Sequence, residues 1–187
     1  MAKNLNNDAS LGYSGRFGQM FSFRQIGGET EAYRRPRKRK GPGTDKQEHH
    51  REKFLEATYY AKTVMADPAL TAIYQEKTTA RKSVYNLAVS DFIKAPVIKF
   101  INTGNYHGQA QDTLIIRAID DFKVSLVNVS IYDASGAIIE QGNAIQQPNG
   151  VDWLYTAINN NPQPEGAKIK AAAFDMPGNE ATLETMV

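Results

Sequence analysis

Hydrophobic positions change their spacing once along this chain, at the Ala95–Pro96 junction. Between Thr44 and Ala95 they recur every three or four residues, the period of a helix with one buried face; from Val97 onward they alternate, the period of strands. Ahead of both, RFGQMFSFRQI and ETEAYRR flank Gly27 and Gly28, a pair that tolerates the positive φ of a tight primed turn, so residues 16–35 are predicted to form a β-hairpin. Phe17, Met20, Phe21 and Phe23 make its first strand apolar, with imperfect alternation.

Start and stop signals divide the helical stretch into three. Thr44 with Gln47 three residues later fits a capping box, and Asp45 suits the positive end of a helix dipole. Phe54, Ala57, Thr58, Ala61, Val64 and Met65 then form one apolar face. Asp67 followed by Pro68 is a second start, with Leu70, Ile73 and Tyr74 as the buried side. Tyr85, Ala88, Val89 and Phe92 mark a third helix, which Pro96 ends by disfavouring helical backbone before it.

After the proline, VIKFINT, DTLIIRAI, VSLVNVSIYD, AIIEQGN, WLYTAI and AKIKAAAFD read as short strands separated by turn clusters such as Asp133–Gly136 and Asp175–Asn179. Their number and spacing predict a sandwich of about seven strands. The expected organisation is a flexible terminus over 1–15, a basic α+β module of hairpin and about three helices over 16–95, and an all-β domain over 96–187.

Composition adds limits. Hydrophobic residues at 41% and charged residues at 22% are ordinary for globular chains. The absence of cysteine removes disulfides, zinc–thiolate sites and thiol nucleophiles. Residues 1–10 lack the apolar core of a secretory signal, and no later stretch is apolar for long enough to span a membrane, so synthesis in the cytoplasm and no membrane partner are expected.

The net charge of +2 conceals a split. Residues 1–95 hold 17 Lys and Arg against 10 Asp and Glu, whereas residues 96–187 hold 5 against 10. Much of the excess lies in RRPRKRK, where Arg34, Arg35, Arg37, Lys38, Arg39 and Lys40 surround Pro36. Closely spaced cations gain affinity by releasing counterions from nucleic-acid backbones. Lys46 and Arg51 are candidates to extend that surface, as are Arg16, Arg24 and Lys53, with Phe21, Phe23 or Tyr33 available for stacking on single strands.

Catalytic and metal chemistry find less support. His49 and His50 adjoin Glu48 and Glu52, but neighbouring residues on a helix diverge by about 100° and cannot face one site. His107 has no identifiable partner, and GYSGRFG lacks the preceding strand and the Lys-Ser/Thr ending of a phosphate loop. Asp112, Asp120, Asp121, Asp133, Asp152 and Asp175 are candidates to gather at the ends of the sandwich as oxygen ligands for calcium, but no loop has the dense acidic spacing of a calcium site, which favours reading them as ordinary turn and edge residues. No catalytic residue, metal or cofactor is expected.

Two resemblances go further. IRAIDDFKVSLVNVSIYDASG, DWLYTA and AKIKAAAFDMPGNEATL, in that order, resemble bacterial immunoglobulin-like modules, which implies a two-sheet sandwich used for display or protein contact. Lacking a cysteine pair, the domain departs from the antibody type, and Trp153 has no disulfide to pack on. Gly12, Gly15, Phe17, Gly18, Arg35, Pro36, Pro42, Thr44, Gln47, Arg51 and Phe54 resemble an uncharacterised family of bacterial and phage-associated proteins that opens with a Gly-rich hairpin. That likeness implies a shape and no activity.

The sequence therefore points to a non-catalytic protein whose basic module engages nucleic acid or another polyanion and whose immunoglobulin-like domain contacts protein. Two alternatives belong to other classes. One is a structural subunit of a virion or other assembly, in which the basic arm of a homo-oligomer meets Asp120, Asp121 or Glu140 of the next copy. The other is a glycan-binding module using exposed aromatics near Trp153 and Tyr155.

Overall fold

In the computed structural model, which describes residues 2–4, 10–35, 41 and 43–187, the chain is α+β and divides into two compact units, Met1–Ala88 and Val89–Val187.

The first unit opens with four antiparallel strands, β1 (Ala2–Asn4), β2 (Gly15–Phe17), β3 (Phe21–Ile26) and β4 (Glu29–Arg34), in the sheet order β1-β4-β3-β2. Gly27 and Gly28 have φ of 59° and 81° and join Ile26 directly to Glu29, the two-residue hairpin turn that the sequence predicts. Two expectations change. RFGQMFSFRQI is two strands, because the chain reverses over Gly18–Met20 and pairs Phe17 with Phe21. Residues 2–4, expected within a flexible terminus, pair with Thr30–Ala32 of β4.

Three helices follow: α1 (Asp45–Ala66), α2 (Pro68–Gln75) and α3 (Val84–Ile93). At the start of α1 the backbone N–H of Thr44 donates to Gln47 Oε1 at 3.3 Å. Asp67 Oδ1 caps α2 by accepting from Ala69 N at 2.8 Å. The buried stripe of α1 is Ala57, Ala61 and Val64, narrower than predicted, since Phe54 and Met65 are exposed. Tyr74 of α2 is fully buried and shares a 2.9 Å hydroxyl contact with Tyr60.

The second unit holds two antiparallel sheets. One contains β5 (Val97–Asn105), β6 (Thr113–Ile119), β10 (Asp152–Thr156) and β9 (Ile145–Gln146), in the order β5-β6-β10-β9. The other contains β12 (Glu180–Met186), β11 (Lys168–Asp175), β7 (Val124–Tyr132) and β8 (Ile138–Asn143), in the order β12-β11-β7-β8. β9 and β12 are additions to the strands read from sequence.

Alternate side chains of both sheets meet in one core. Leu114, Ile116, Trp153 and Tyr155 come from the first sheet and Val127, Val129, Ile131, Ile169 and Ala171 from the second. The end of α3 belongs to this unit, because Asn179 Nδ2 donates to Phe92 O at 3.1 Å, so the division falls inside α3 rather than at Pro96.

Candidate functional site

Strand register sorts the side chains of the N-terminal sheet onto two faces, since residues directly opposite across an antiparallel pair project the same way. Phe17 faces Phe21, Phe21 faces Arg34, and Phe23 faces Ala32, so the three phenylalanines share one face with Arg34. Tyr13 joins them, its ring edge-on to Phe23 at 5.8 Å; Phe17 packs on Phe23 in the same way at 6.2 Å. Phe17 remains 64% exposed and Phe21 44%.

The opposite face carries Arg16, Ser22, Arg24, Glu29, Glu31 and Tyr33. Its glutamates are paired. Glu31 is buried and takes Arg24 Nη2 at 2.9 Å and Arg81 Nη1 at 3.5 Å, and Arg81 also pairs with Glu29. Arg24 lies over the Tyr33 ring at 5.5 Å. Arg24 therefore engages both Glu31 and Tyr33, and neither Arg24 nor Tyr33 joins Phe21 and Phe23 as expected.

Of the predicted cationic surface, Arg34 is exposed on the aromatic face. Arg35 turns back on the sheet, its N–H donating to Met20 O at 3.0 Å and its Nη1 to Gly18 O at 3.5 Å. Lys46 and Arg51 are both exposed on α1. Five residues apart on a helix, they point about 140° away from each other and form no common patch. Arg37, Lys38, Arg39 and Lys40 lie outside the described residues. His49 and His50 are exposed on α1. Sequence spacing does not mark Tyr13 and Phe17 as partners of Phe21 and Phe23; the signal that could is the Gly18 turn, which brings Phe17 back alongside them.

In the second unit, most of the aspartates serve turns and edges. Asp112 Oδ2 accepts from His107 N at 2.7 Å and Gln109 N at 2.8 Å, and Asp133 Oδ1 accepts from Ser135 and Ala137. Asp152 is held by Arg117 at 2.7 Å, whose guanidinium also lies over Phe100.

Asp120 and Asp175 do come together, and Asp91 of α3, which nothing in the sequence distinguishes, joins them. One oxygen from each lies within 4.8 Å of the others, with Asp91 and Asp175 buried and Asp120 half-buried. Oxygen ligands at this spacing are of the kind that hard cations take. Asp120 Oδ2 also accepts from the N–H groups of Phe122 and Lys123, and Asp175 Oδ1 from those of Gly178 and Asn179.

These environments predict an acid limb. Backbone N–H donors from Gln109 and His107 hold the Asp112 carboxyl below its usual range, Ser135 and Ala137 do so for Asp133, and Arg117 and Asn149 for Asp152. Such groups contribute stability that is present above their unfolded pKa and lost as pH falls through the folded one. Asp175 has the opposite sign, because burial raises its pKa, so its protonation on acidification favours the fold. Because Asp112, Asp133 and Asp152 are all held below the ordinary carboxylate range, the melting temperature of the full chain is expected to fall as pH drops through and below that range. Asp152→Asn should flatten that fall in a circular-dichroism melt series; a melting temperature that rises on acidification would contradict the assignment.

Several expectations about the C-terminal half are corrected. Trp153 and Tyr155 point inward and are 5% and 3% exposed, because the parity of β10 sends both into the core, so they offer a glycan nothing to stack on. The Tyr155 hydroxyl is pushed up to about 12 by burial and by the Glu140 charge. Glu140 is itself buried and accepts from Ile158 N and Asn159 N at 2.9 and 2.7 Å, which removes it from contact with a neighbouring copy. Asp121 pairs with Lys94.

The outer face of the β12-β11-β7-β8 sheet carries an open groove of about 390 Å³, lined among others by Leu126, Asn128, Tyr132, Lys170 and Phe174. No helix among the described residues is long and apolar enough to cross a membrane.

No protein-family model and no curated protein matches the chain. Among solved structures, a crystal structure of an engineered protein is similar at a TM-score of 0.34 and 12% identity, over 56% of this chain and 25% of the engineered one, a likeness too slight to carry an argument about fold or function.

Proposed function

We propose that this is a non-catalytic binding protein whose N-terminal unit engages nucleic acid or another polyanion and whose C-terminal unit is an immunoglobulin-like domain that contacts protein. The observation that carries the first half is the segregation of charge across the N-terminal sheet. Glu29 and Glu31 sit on one face, neutralised by Arg24 and Arg81. The other face has no carboxylate among the described strand residues β2 to β4 and presents Arg34, the first cation of the RRPRKRK run. A surface built this way meets a chain of phosphates without like-charge repulsion.

Strand order supports the second half. Counted within the C-terminal unit, one sheet runs first, second, sixth, fifth and the other eighth, seventh, third, fourth. Immunoglobulin folds arrange their ABED and GFC sheets in this way. The groove on the outer face of the second sheet supplies a surface for a partner.

Counterion release sets the test. Retention of mixed-sequence DNA and RNA should weaken steeply with salt, and replacing Arg34, Arg37, Lys38 and Arg39 by alanine should flatten the log–log slope by roughly three to four units. Absence of retention on either polymer at low salt would overturn the polyanion reading. Dissolution of a homo-oligomer by the same substitutions would replace it with self-assembly.

A further inference from the structure

We propose that the aromatic face of the N-terminal sheet is a base-stacking platform, which makes this protein select single-stranded over duplex nucleic acid. The inference rests on the polyanion reading above and adds to it a chemistry that cations alone do not supply.

Isolated exposed apolar side chains are ordinary on a protein surface, whereas a contiguous exposed cluster marks an interaction site. Here Phe17 and Phe21 are cross-strand partners, both exposed, and Phe17 and Tyr13 each pack edge-on against Phe23. Phe17, Phe21 and Phe23 stand on paired strands, so they are held in place before any ligand arrives. Gln25 secures the Tyr13 segment by donating to the Tyr13 carbonyl at 2.9 Å.

The occupant follows from charge. Arg34 lies directly opposite Phe21 on the same face, and Glu29 and Glu31 are confined to the other side. An apolar protein surface would not need the cation, and a duplex, whose bases are stacked on each other, would not use the rings. A single strand presents both a phosphate for Arg34 and free base faces for Phe17 and Phe21, the combination found in single-strand-binding grooves.

The test compares the full chain with its Phe17→Ala/Phe21→Ala variant, using fluorescence anisotropy on a labelled oligothymidylate of about 15 nucleotides, the matching oligouridylate and a DNA duplex of the same length. Both rings are exposed, so the variant should keep the wild-type circular-dichroism melt. Expected are tighter binding of the wild type to the single strands than to the duplex, a loss of roughly tenfold per ring on single strands, and an unchanged salt slope. Phe21→Trp should retain affinity and show quenched indole emission on binding, which keeps the proposal testable if the double variant melts early.

Equal affinity for duplex and single strand, or an alanine variant that binds single strands as the wild type does, would overturn stacking while leaving the polyanion reading intact. If neither polymer binds at low salt, the polyanion reading fails and stacking falls with it. If the variant changes only the oligomeric state, the face is a contact between copies and the stacking proposal is overturned. With stacking upheld, preference between the DNA and RNA strands identifies the source of the ligand.

Discussion

Ile131→Ala is expected to destabilise the C-terminal unit by about 2–5 kcal/mol, the range for truncating a fully buried aliphatic side chain that leaves a cavity. Ile131 is 0% exposed on β7, where it pairs with Ile169 of β11 and Glu140 of β8. It belongs to the core that also takes Leu114 and Ile116 from the other sheet. Close packing leaves neighbours little room to collapse into the void, so the cavity adds to the lost transfer energy. Trp153 is the one tryptophan of the chain and is buried in this core, so its emission during urea unfolding reads this unit alone. A loss below about 1 kcal/mol would mean that the two sheets do not share the core described.

A second large effect is expected at Gly108, in the loop between β5 and β6. Its φ is +83°, and a Cβ built there would overlap the carbonyl oxygen of Asn161, the residue whose N–H donates to Gly108 O at 2.7 Å. Gly108→Ala therefore combines the cost of a left-handed conformation, about 1–2 kcal/mol, with a clash against backbone that cannot swing aside. The total should be about 2–4 kcal/mol, at the high end for a point substitution. Gly136→Ala is the control, since Gly136 has a similar φ of +87° but no atom within 4 Å of the added carbon. The difference between the two variants, read by Trp153 fluorescence, isolates the clash. Equal losses would show that the Asn161 segment yields freely.

What could be read from the sequence alone are the features decided by neighbours along the chain. Thr44 with Gln47, Asp67 with Pro68, and the Gly27–Gly28 pair each place an element boundary through contacts spanning a few residues, and the structure has those boundaries. The acceptor roles of Asp133 and Asp175 in their turns are equally local. The change of period at Pro96 likewise separates helices from strands, although it puts the boundary between units several residues past the division inside α3.

Tertiary structure decided everything that depends on register or on distant partners. Alternation in WLYTA shows that Trp153 and Tyr155 share a face, but pairing with β6 determines that this face is the core. The reversal at Gly18–Met20 puts Phe17 beside Phe21, and the register of β3 with β4 sends Tyr33 to the opposite side with Arg24. Asp91, Asp120 and Asp175 come from helix α3, the turn after β6 and the end of β11, far apart in the chain, and only folding brings their oxygens within 4.8 Å. The physical reason is the same in each case. Local dihedral and capping preferences act within a turn or two, whereas the face a side chain presents is set by long-range pairing, where a shift of one residue exchanges the buried and exposed sets.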